Sequence, residues 1–144
     1  MEKQRSIERY CVAMSQENVD RFLEGTDAFN RGDVDAASDW LGPEVVFEPQ
    51  TAAMEGNFAG PDGVRSYLAG LRDLFEVYEV RYTDVRDLGD RVLALGTSRT
   101  VAKGSGIEQE FTIAIVATFK DGLLTHYKDY GDKQQALEAV GLSD

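Results

Sequence analysis

The sequence is short of the residues that build disulfides and metal sites. It contains one cysteine, Cys11, and one histidine, His126. A single cysteine excludes an internal disulfide, and a single histidine excludes a metal site with several histidine ligands. There is also no EF-hand loop, P-loop or HExxH string. We therefore expect no metal and no cofactor, although a Mg²⁺ or Ca²⁺ site made only of carboxylates stays open as an alternative.

Positive charge and long apolar runs are scarce as well. The chain has 15 Lys and Arg against 26 Asp and Glu, which gives a formal net charge of −11. Such a surface repels phosphate backbones and anionic lipid headgroups, so neither nucleic acid nor a membrane is expected as a partner. No apolar stretch approaches the roughly 20 residues of a membrane span. The charged first residues lack the apolar segment of a signal peptide, so we expect a cytoplasmic protein.

What the sequence does contain is the patterning of one globular domain. The length of 144 residues and the hydrophobic content of 42% are typical of a single domain. Residues 1–14 show no apolar stripe and are predicted to form an N-terminal extension to a domain over 15–144. Ser15 is a good N-cap for a first helix that runs to Gly32. Asp33 then caps a short second helix that ends at Gly42-Pro43.

The middle of the chain changes from helical to strand patterning. A short strand is predicted at 45–48, and a third helix starts at Gly60-Pro61 and carries an apolar stripe to Phe75. Four strands joined by tight turns follow, at 77–87, 91–102, 107–119 and 123–130. Asp132 then caps a last helix that Gly141 ends. This order, with helices first and an antiparallel meander after them, predicts an α+β fold.

Five short strings give this layout a family resemblance. They are AFNRGD at 28–33, FAGPDGV at 58–64, FKDGLL at 119–124, YKDYGD at 127–132 and ALEAVGL at 136–142. Their order and spacing resemble the nuclear transport factor 2-like superfamily, and within it the SnoaL-like polyketide cyclase relatives. The resemblance covers about residues 15–142. It implies a cone-shaped fold in which a strongly curved antiparallel sheet wraps three N-terminal helices around a cavity, with a short C-terminal helix in addition.

The resemblance also implies a kind of chemistry. Enzymes of this fold include aldol cyclases, ketosteroid isomerases and limonene epoxide hydrolases, which hold a small organic molecule in an apolar pocket beside one or two acids. Asp129 matches the general acid/base aspartate of the SnoaL-like cyclases. It shares strand parity with Thr125 and Tyr127, so we expect all three to face the cavity. The alternative is a solvated Asp129 at a strand end.

Arg99 is the candidate partner of Asp129. It lies in the middle of a strand, and an Arg buried there would need an acidic partner, which Asp129 could supply. Such a pair would resemble the Asp–Arg–Asp constellation of the epoxide hydrolases, with Asp84 or Glu110 as the only candidates for the second acid. The alternative is an exposed Arg99 on the convex face of the sheet.

Several further polar residues have open roles. Tyr82 and Tyr130 could donate hydrogen bonds to a carbonyl oxygen. The first helix contains no tyrosine of the kind that the isomerases use, which argues against a ketosteroid isomerase. His126 has the opposite parity to Asp129 and is expected at the surface or in a dimer interface, and Glu48 is expected in solvent.

The predicted cavity wall, and hence the substrate-binding surface, is apolar and aromatic. Its members are Trp40, Phe47, Met54, Phe58, Tyr67, Leu71 and Phe75. The alternative for each is ordinary core packing.

Two functions are compatible with these residues. The first is acid/base chemistry, such as aldol cyclisation, isomerisation or hydrolysis, on a small hydrophobic carbonyl compound, with Asp129, Arg99 and Tyr127 as catalytic candidates. The second is a non-catalytic binding or stress-associated module that keeps the pocket. Both faces of the strand at 107–119 carry apolar atoms, so we also expect a homodimer through the outer face of the sheet.

Overall fold

The computed structural model describes residues 2–50 and 56–143, with side chains from residue 16 onward. Its helices are α1 (Glu2–Asn30), α2 (Val34–Ser38), α3 (Gly60–Leu74) and α4 (Lys133–Ala139). The prediction that the first helix begins at Ser15 is wrong, because α1 starts at Glu2. No Gly or Pro lies between Glu2 and Ser15 to end the helix there, and α1 continues through Gly25 to Asn30. No helix in the described ranges is long and apolar enough to cross a membrane.

Six strands form one curved, open sheet, and this confirms the predicted α+β class. They are β1 (Leu41–Glu48), β2 (Phe58–Ala59), β3 (Phe75–Asp87), β4 (Arg91–Ala102), β5 (Glu108–Lys120) and β6 (Leu123–Asp129). Their order across the sheet is β2-β1-β6-β5-β4-β3. The meander from β3 to β6 is antiparallel as predicted, whereas β1 runs parallel to β6.

β1 begins earlier than the predicted strand at 45–48. The backbone N–H of Leu124 donates to the carbonyl of Trp40 at 2.8 Å, so the chain joins the sheet directly after α2. Gly42 and Pro43 therefore lie inside β1 instead of ending a helix. A register shift between Leu41 and Val46 accommodates them.

The bend in the sheet has a local cause between β3 and β4. The register shifts between Tyr82 and Asp84, opposite Gly96. A Cβ atom at Gly96 would lie 2.0 Å from the carbonyl oxygen of Arg81, so only glycine allows the two backbones to approach this closely. The resulting concave face receives α1 and α3.

Apolar side chains of the helices pack against both faces of the sheet. On the concave face the core includes Phe22 of α1 and Val64 of α3. On the outer face α4 packs Ala136 and Leu137 into a separate cluster, against residues of β4 and β5 that include Leu93, Leu95, Ala114 and Val116.

The outer cluster bears on the expected homodimer. The dimer was expected because both faces of the strand at 107–119 carry apolar atoms, and α4 covers the buried apolar positions of the outer face. Beyond α4, the outer positions at the other ends of β4 and β5 are polar and include Thr97, Arg99, Glu110 and Thr112. The dimer stays a prediction, with less apolar surface to support it than the sequence suggested.

Candidate functional site

A pocket of about 440 Å³ lies between the helices and the concave face of the sheet. Five of the predicted wall residues line it: Trp40, Phe47, Tyr67, Leu71 and Phe75. Phe58 does not line it but stacks on Tyr67 with ring centroids 4.4 Å apart. Met54 lies outside the described residues. The pocket lining is mainly aromatic and aliphatic, as suits a small apolar molecule.

Asp129 lies in this pocket at the last position of β6. Its Oδ1 atom accepts hydrogen bonds from the backbone N–H groups of Ala114, at 3.0 Å, and Gly131, at 2.9 Å. Its Oδ2 atom accepts a bond of 3.1 Å from the side-chain amide of Gln50, which also donates to the carbonyl of Thr112 at 2.8 Å. The carboxylate is thus fixed by β5, by the turn after β6 and by the segment that follows β1.

Burial and hydrogen bonding act in opposite directions on the acidity of Asp129. Desolvation raises its pKa, and the bonds from Ala114, Gln50 and Gly131 offset part of that rise because they favour the charged form. The net result is a raised pKa. A carboxyl group of this kind binds a proton more readily than one in water, as a general base or acid must.

Three partly buried tyrosines line the pocket with Asp129. Tyr127 stacks on Phe47 with centroids 4.2 Å apart, and the hydroxyl of Tyr82 lies 3.1 Å from the hydroxyl of Thr26. Desolvation raises the pKa of Tyr127 and of Tyr82, and it raises the pKa of Tyr78 to about 12, with the charge of Asp129 adding to the rise in each case. All three hydroxyls therefore stay protonated near neutral pH and can donate hydrogen bonds.

Arg99 does not meet Asp129, which corrects the expected pair. In β4 the even-numbered positions Ser98 and Thr100 face the pocket, so Arg99 points to the outer face. There its side chain is 43% exposed and pairs with Glu108. The hydrogen bond and the charge of Glu108 raise the pKa of this exposed guanidinium.

Neither candidate for a second acid lies in the pocket. Asp84 pairs with Arg86 at 3.1 Å, and Glu110 lies on the outer face beside Arg99. Among the described residues that line the pocket, Asp129 is the only charged one. The Asp–Arg–Asp constellation of the epoxide hydrolases is therefore not formed by Arg99, Asp84 and Glu110.

Two residues of the last strand region also differ from expectation. Thr125 was expected beside Tyr127 and Asp129, but a register shift at Thr118 and Phe119 breaks the alternation, and its hydroxyl donates to the carbonyl of Thr118 at 3.1 Å. Tyr130 packs into the outer cluster under α4 instead of the pocket, with the Lys128 ammonium 4.7 Å from its ring centre.

His126 and Glu48 contact each other away from the pocket. Nε2 of His126 contacts a carboxylate oxygen of Glu48, and the Lys128 ammonium lies 4.0 Å from the other oxygen. These residues alternate with Phe47, Tyr127 and Asp129, which line the pocket, so they occupy the outer face. Among the described residues no three His, Cys, Asp or Glu side chains come together in a way that could hold a metal ion.

Sequence reasoning missed several polar residues of the pocket. Gln50, Tyr78, Ser98, Thr100 and Gln109 all line it. Ser98 and Thr100 share parity with Val92 and Ala94, but Leu93 and Leu95 make the opposite face of β4 equally apolar, so alternation did not show which face lines the pocket. Nothing in the sequence around Gln50 indicates that it contacts Asp129, since the two are 79 residues apart.

Comparisons with solved structures establish the fold. A nuclear transport factor 2-like protein of unknown function from Burkholderia pseudomallei K96243 matches with a TM-score of 0.72 at 20% identity, over 87% of this chain and 98% of that one. An epoxide hydrolase of the limonene epoxide hydrolase-like type from M. tuberculosis matches with a TM-score of 0.70 at 20% identity, over 85% and 88% of the two chains. A protein from Jannaschia sp. CCS1, provisionally assigned as a SnoaL-like polyketide cyclase, gives 0.70 at 18% identity, over 81% and 85%.

Sequence comparison identifies the family. A search of the curated proteins finds no match. The family described as the SnoaL-like domain matches residues 19–127, which include α2, α3, five strands and the described part of the pocket up to Tyr127. This match covers most of the chain and confirms the resemblance drawn from the short strings. The chain belongs to the SnoaL-like domain family.

Proposed function

We propose that this protein binds a small hydrophobic carbonyl compound in its pocket and moves a proton on it, with Asp129 as the proton carrier. The observation that supports this most directly is a carboxyl group with a raised pKa in an apolar pocket. Burial makes such a group a stronger base than a carboxylate in water, and the surrounding apolar walls favour an apolar substrate.

The geometry suggests how the proton moves. Oδ1 of Asp129 accepts two backbone bonds, whereas Oδ2 accepts only the bond from Gln50. Oδ2 is therefore the atom with room to take a proton from a carbon beside the substrate carbonyl. The C–H electron pair then becomes the new C=C bond of an enolate, and the negative charge collects on the carbonyl oxygen.

A protonated tyrosine hydroxyl supplies the donor that such an enolate oxygen needs. Tyr127 and Tyr82 line the same pocket as Asp129 and keep their protons because burial raises their pKa values. Return of the proton from Asp129 to another carbon gives isomerisation. Attack of the enolate carbon on a second carbonyl of the same molecule moves the C=O π electrons onto that oxygen, and this alkoxide takes the proton back from Asp129, which gives aldol cyclisation.

The test is Asp129→Asn, assayed on a panel of enolisable carbonyl compounds. Turnover is expected to fall roughly 10²–10⁴-fold, which is the usual effect of removing a positioned acid or base. Ligand binding, followed by the fluorescence of Trp40 in the pocket wall, should persist. Glu110→Gln is the matched control, because it removes a carboxylate from the outer face. Equal turnover in the Asp129→Asn variant and the wild type contradicts the assignment of Asp129.

A binding module without catalysis is the second candidate, and a specific observation favours it. Both oxygens of Asp129 already accept hydrogen bonds from the protein, and no second carboxylate lines the described part of the pocket. In that case Asp129 serves to anchor β6 and to orient a ligand. Mass spectrometry of a co-purified molecule that binds tightly and is never converted would favour this function over the first.

A further inference from the structure

Two buried hydroxyl residues lie in the pocket away from Asp129. Ser98 and Thr100 of β4 both line the pocket, and their exposed fractions are 1% and 2%. They are the buried polar residues of the described chain, since every other buried side chain there is apolar or belongs to glycine or proline. Their alternation with Arg99 places both on the concave face.

No protein hydrogen bond holds either hydroxyl among the described residues, and neither oxygen is fully enclosed, because Arg72 Nε is the one fully enclosed side-chain N or O atom there without a partner. The other short-chain hydroxyl of the pocket, Thr26, bonds to both the carbonyl of Phe22 and the hydroxyl of Tyr82, so the contrast is specific to Ser98 and Thr100. Buried polar groups in folded proteins are nearly always paired. A group that is unpaired and faces a cavity is suited to bind something inside that cavity.

Strand register gives the separation between these hydroxyls and the acid. The Asp129 carboxylate accepts from the backbone N–H of Ala114, and Ala114 pairs with Leu95. Ser98 and Thr100 lie three and five residues further along β4, or about 10 and 17 Å along the strand at ~3.4 Å per residue. Ile113 and Phe111 of β5 line the pocket over this interval, and the polar residues Tyr78 and Gln109, which pair with Thr100, line it at the far end.

We propose that Ser98 and Thr100 form a second polar subsite, which binds an uncharged hydrogen-bonding group at the far end of an elongated ligand whose other end meets Asp129. The inference deepens the proposed function and rests on it for the pocket. The far group is a hydroxyl or a carbonyl, because a charged group there would lose its hydration without finding a counter-charge on the described wall. The ligand class is therefore a long neutral molecule with polar ends and an apolar middle.

The test compares two probes that differ only at the far end, 1,10-decanediol and 1-decanol. Binding is followed by the fluorescence of Trp40, which lines the pocket and is the single tryptophan of the chain. In the wild type the diol is expected to bind at least as tightly as the alcohol, because the subsite satisfies its second hydroxyl. In the double variant Ser98→Ala/Thr100→Val the Kd ratio of diol to alcohol should rise roughly tenfold, which corresponds to about 1.4 kcal/mol.

Thr97→Val is the matched control, because it makes the same change one residue away on the outer face. An unchanged ratio in the double variant, a diol that binds the wild type more weakly than the alcohol, or no binding of either probe overturns the subsite. None of these measurements requires turnover. If the ratio shifts but Asp129→Asn keeps full turnover, the subsite stands and the catalytic proposal fails.

Discussion

Gly25 sets the position of the tryptophan that closes the pocket on the side of α1. A Cβ atom added to Gly25 would lie 2.6 Å from Cε2 and 2.7 Å from Nε1 of Trp40. The ring cannot move freely, because its Nε1–H donates to the carbonyl of Ala37 and it packs edge-on against Phe22 and beside Phe119. Gly25→Ala therefore forces the ring or the helix to shift by about 1 Å to restore an ordinary contact of ~3.6 Å.

Two opposing effects decide the stability of this variant. Alanine stabilises a helix interior by about 1 kcal/mol relative to glycine, whereas forcing an extra methyl into a packed site costs about 1–3 kcal/mol. Gly70→Ala isolates the first effect, because Gly70 lies inside α3 and a Cβ there meets nothing within 4 Å. We expect Gly70→Ala to stabilise the protein. The Gly25→Ala variant should be less stable than the Gly70→Ala variant by about 1–3 kcal/mol.

Urea unfolding followed by Trp40 fluorescence measures both variants, and the difference in midpoint gives the difference in the free energy of unfolding. The native emission of Trp40 should also change in Gly25→Ala and not in Gly70→Ala, since only the first moves the ring. Equal midpoints with unchanged native emission would show that the contact is relieved without cost and would refute the reasoning.

Three further outcomes are expected. Gln50→Leu removes a donor to Asp129 and should raise the pKa of that carboxyl further; a ¹³C NMR titration measures this, and a lowered value contradicts it. Burial raises the pKa of Tyr78 to about 12, so its contribution to stability is present below pH ~10 and is lost as the pH rises through 12. In Tyr78→Phe the free energy of unfolding should therefore fall less between these pH values. An unchanged pH dependence of unfolding argues against a raised pKa of Tyr78. The homodimer is tested by sedimentation at tens of micromolar, where a monomer mass contradicts the prediction.

The order of elements could be predicted from the sequence because local signals dictate it. Gly60-Pro61 starts α3 as predicted, and Asp132 caps α4 with its side chain accepting from the backbone N–H of Gln135. Turn residues also separate the four long strands at the expected places. These features depend on neighbours in the chain, so a single sequence contains the information.

Which side of each strand faces the pocket was harder to predict. In β4 both parities are apolar, since Val92 faces the concave core and Leu93 faces α4, so alternation alone did not reveal that Arg99 points outward. In β6 the irregularity next to Thr118 moved Thr125 out of phase with Asp129. Both errors come from tertiary packing, namely a helix on the outer face and a bulge in a pairing, that no local pattern records.

The way Asp129 is held has a consequence for how this pocket can diversify. Two of its three hydrogen bonds come from main-chain amides, those of Ala114 and Gly131, which persist whatever side chains surround them. Substitutions at wall positions such as Leu71 or Phe111 can therefore reshape the space for a ligand while the carboxylate stays in place. Proton transfer and ligand selection are in this sense separately adjustable, so libraries that randomise the wall and keep the backbone around Asp129 offer a direct route to new substrates.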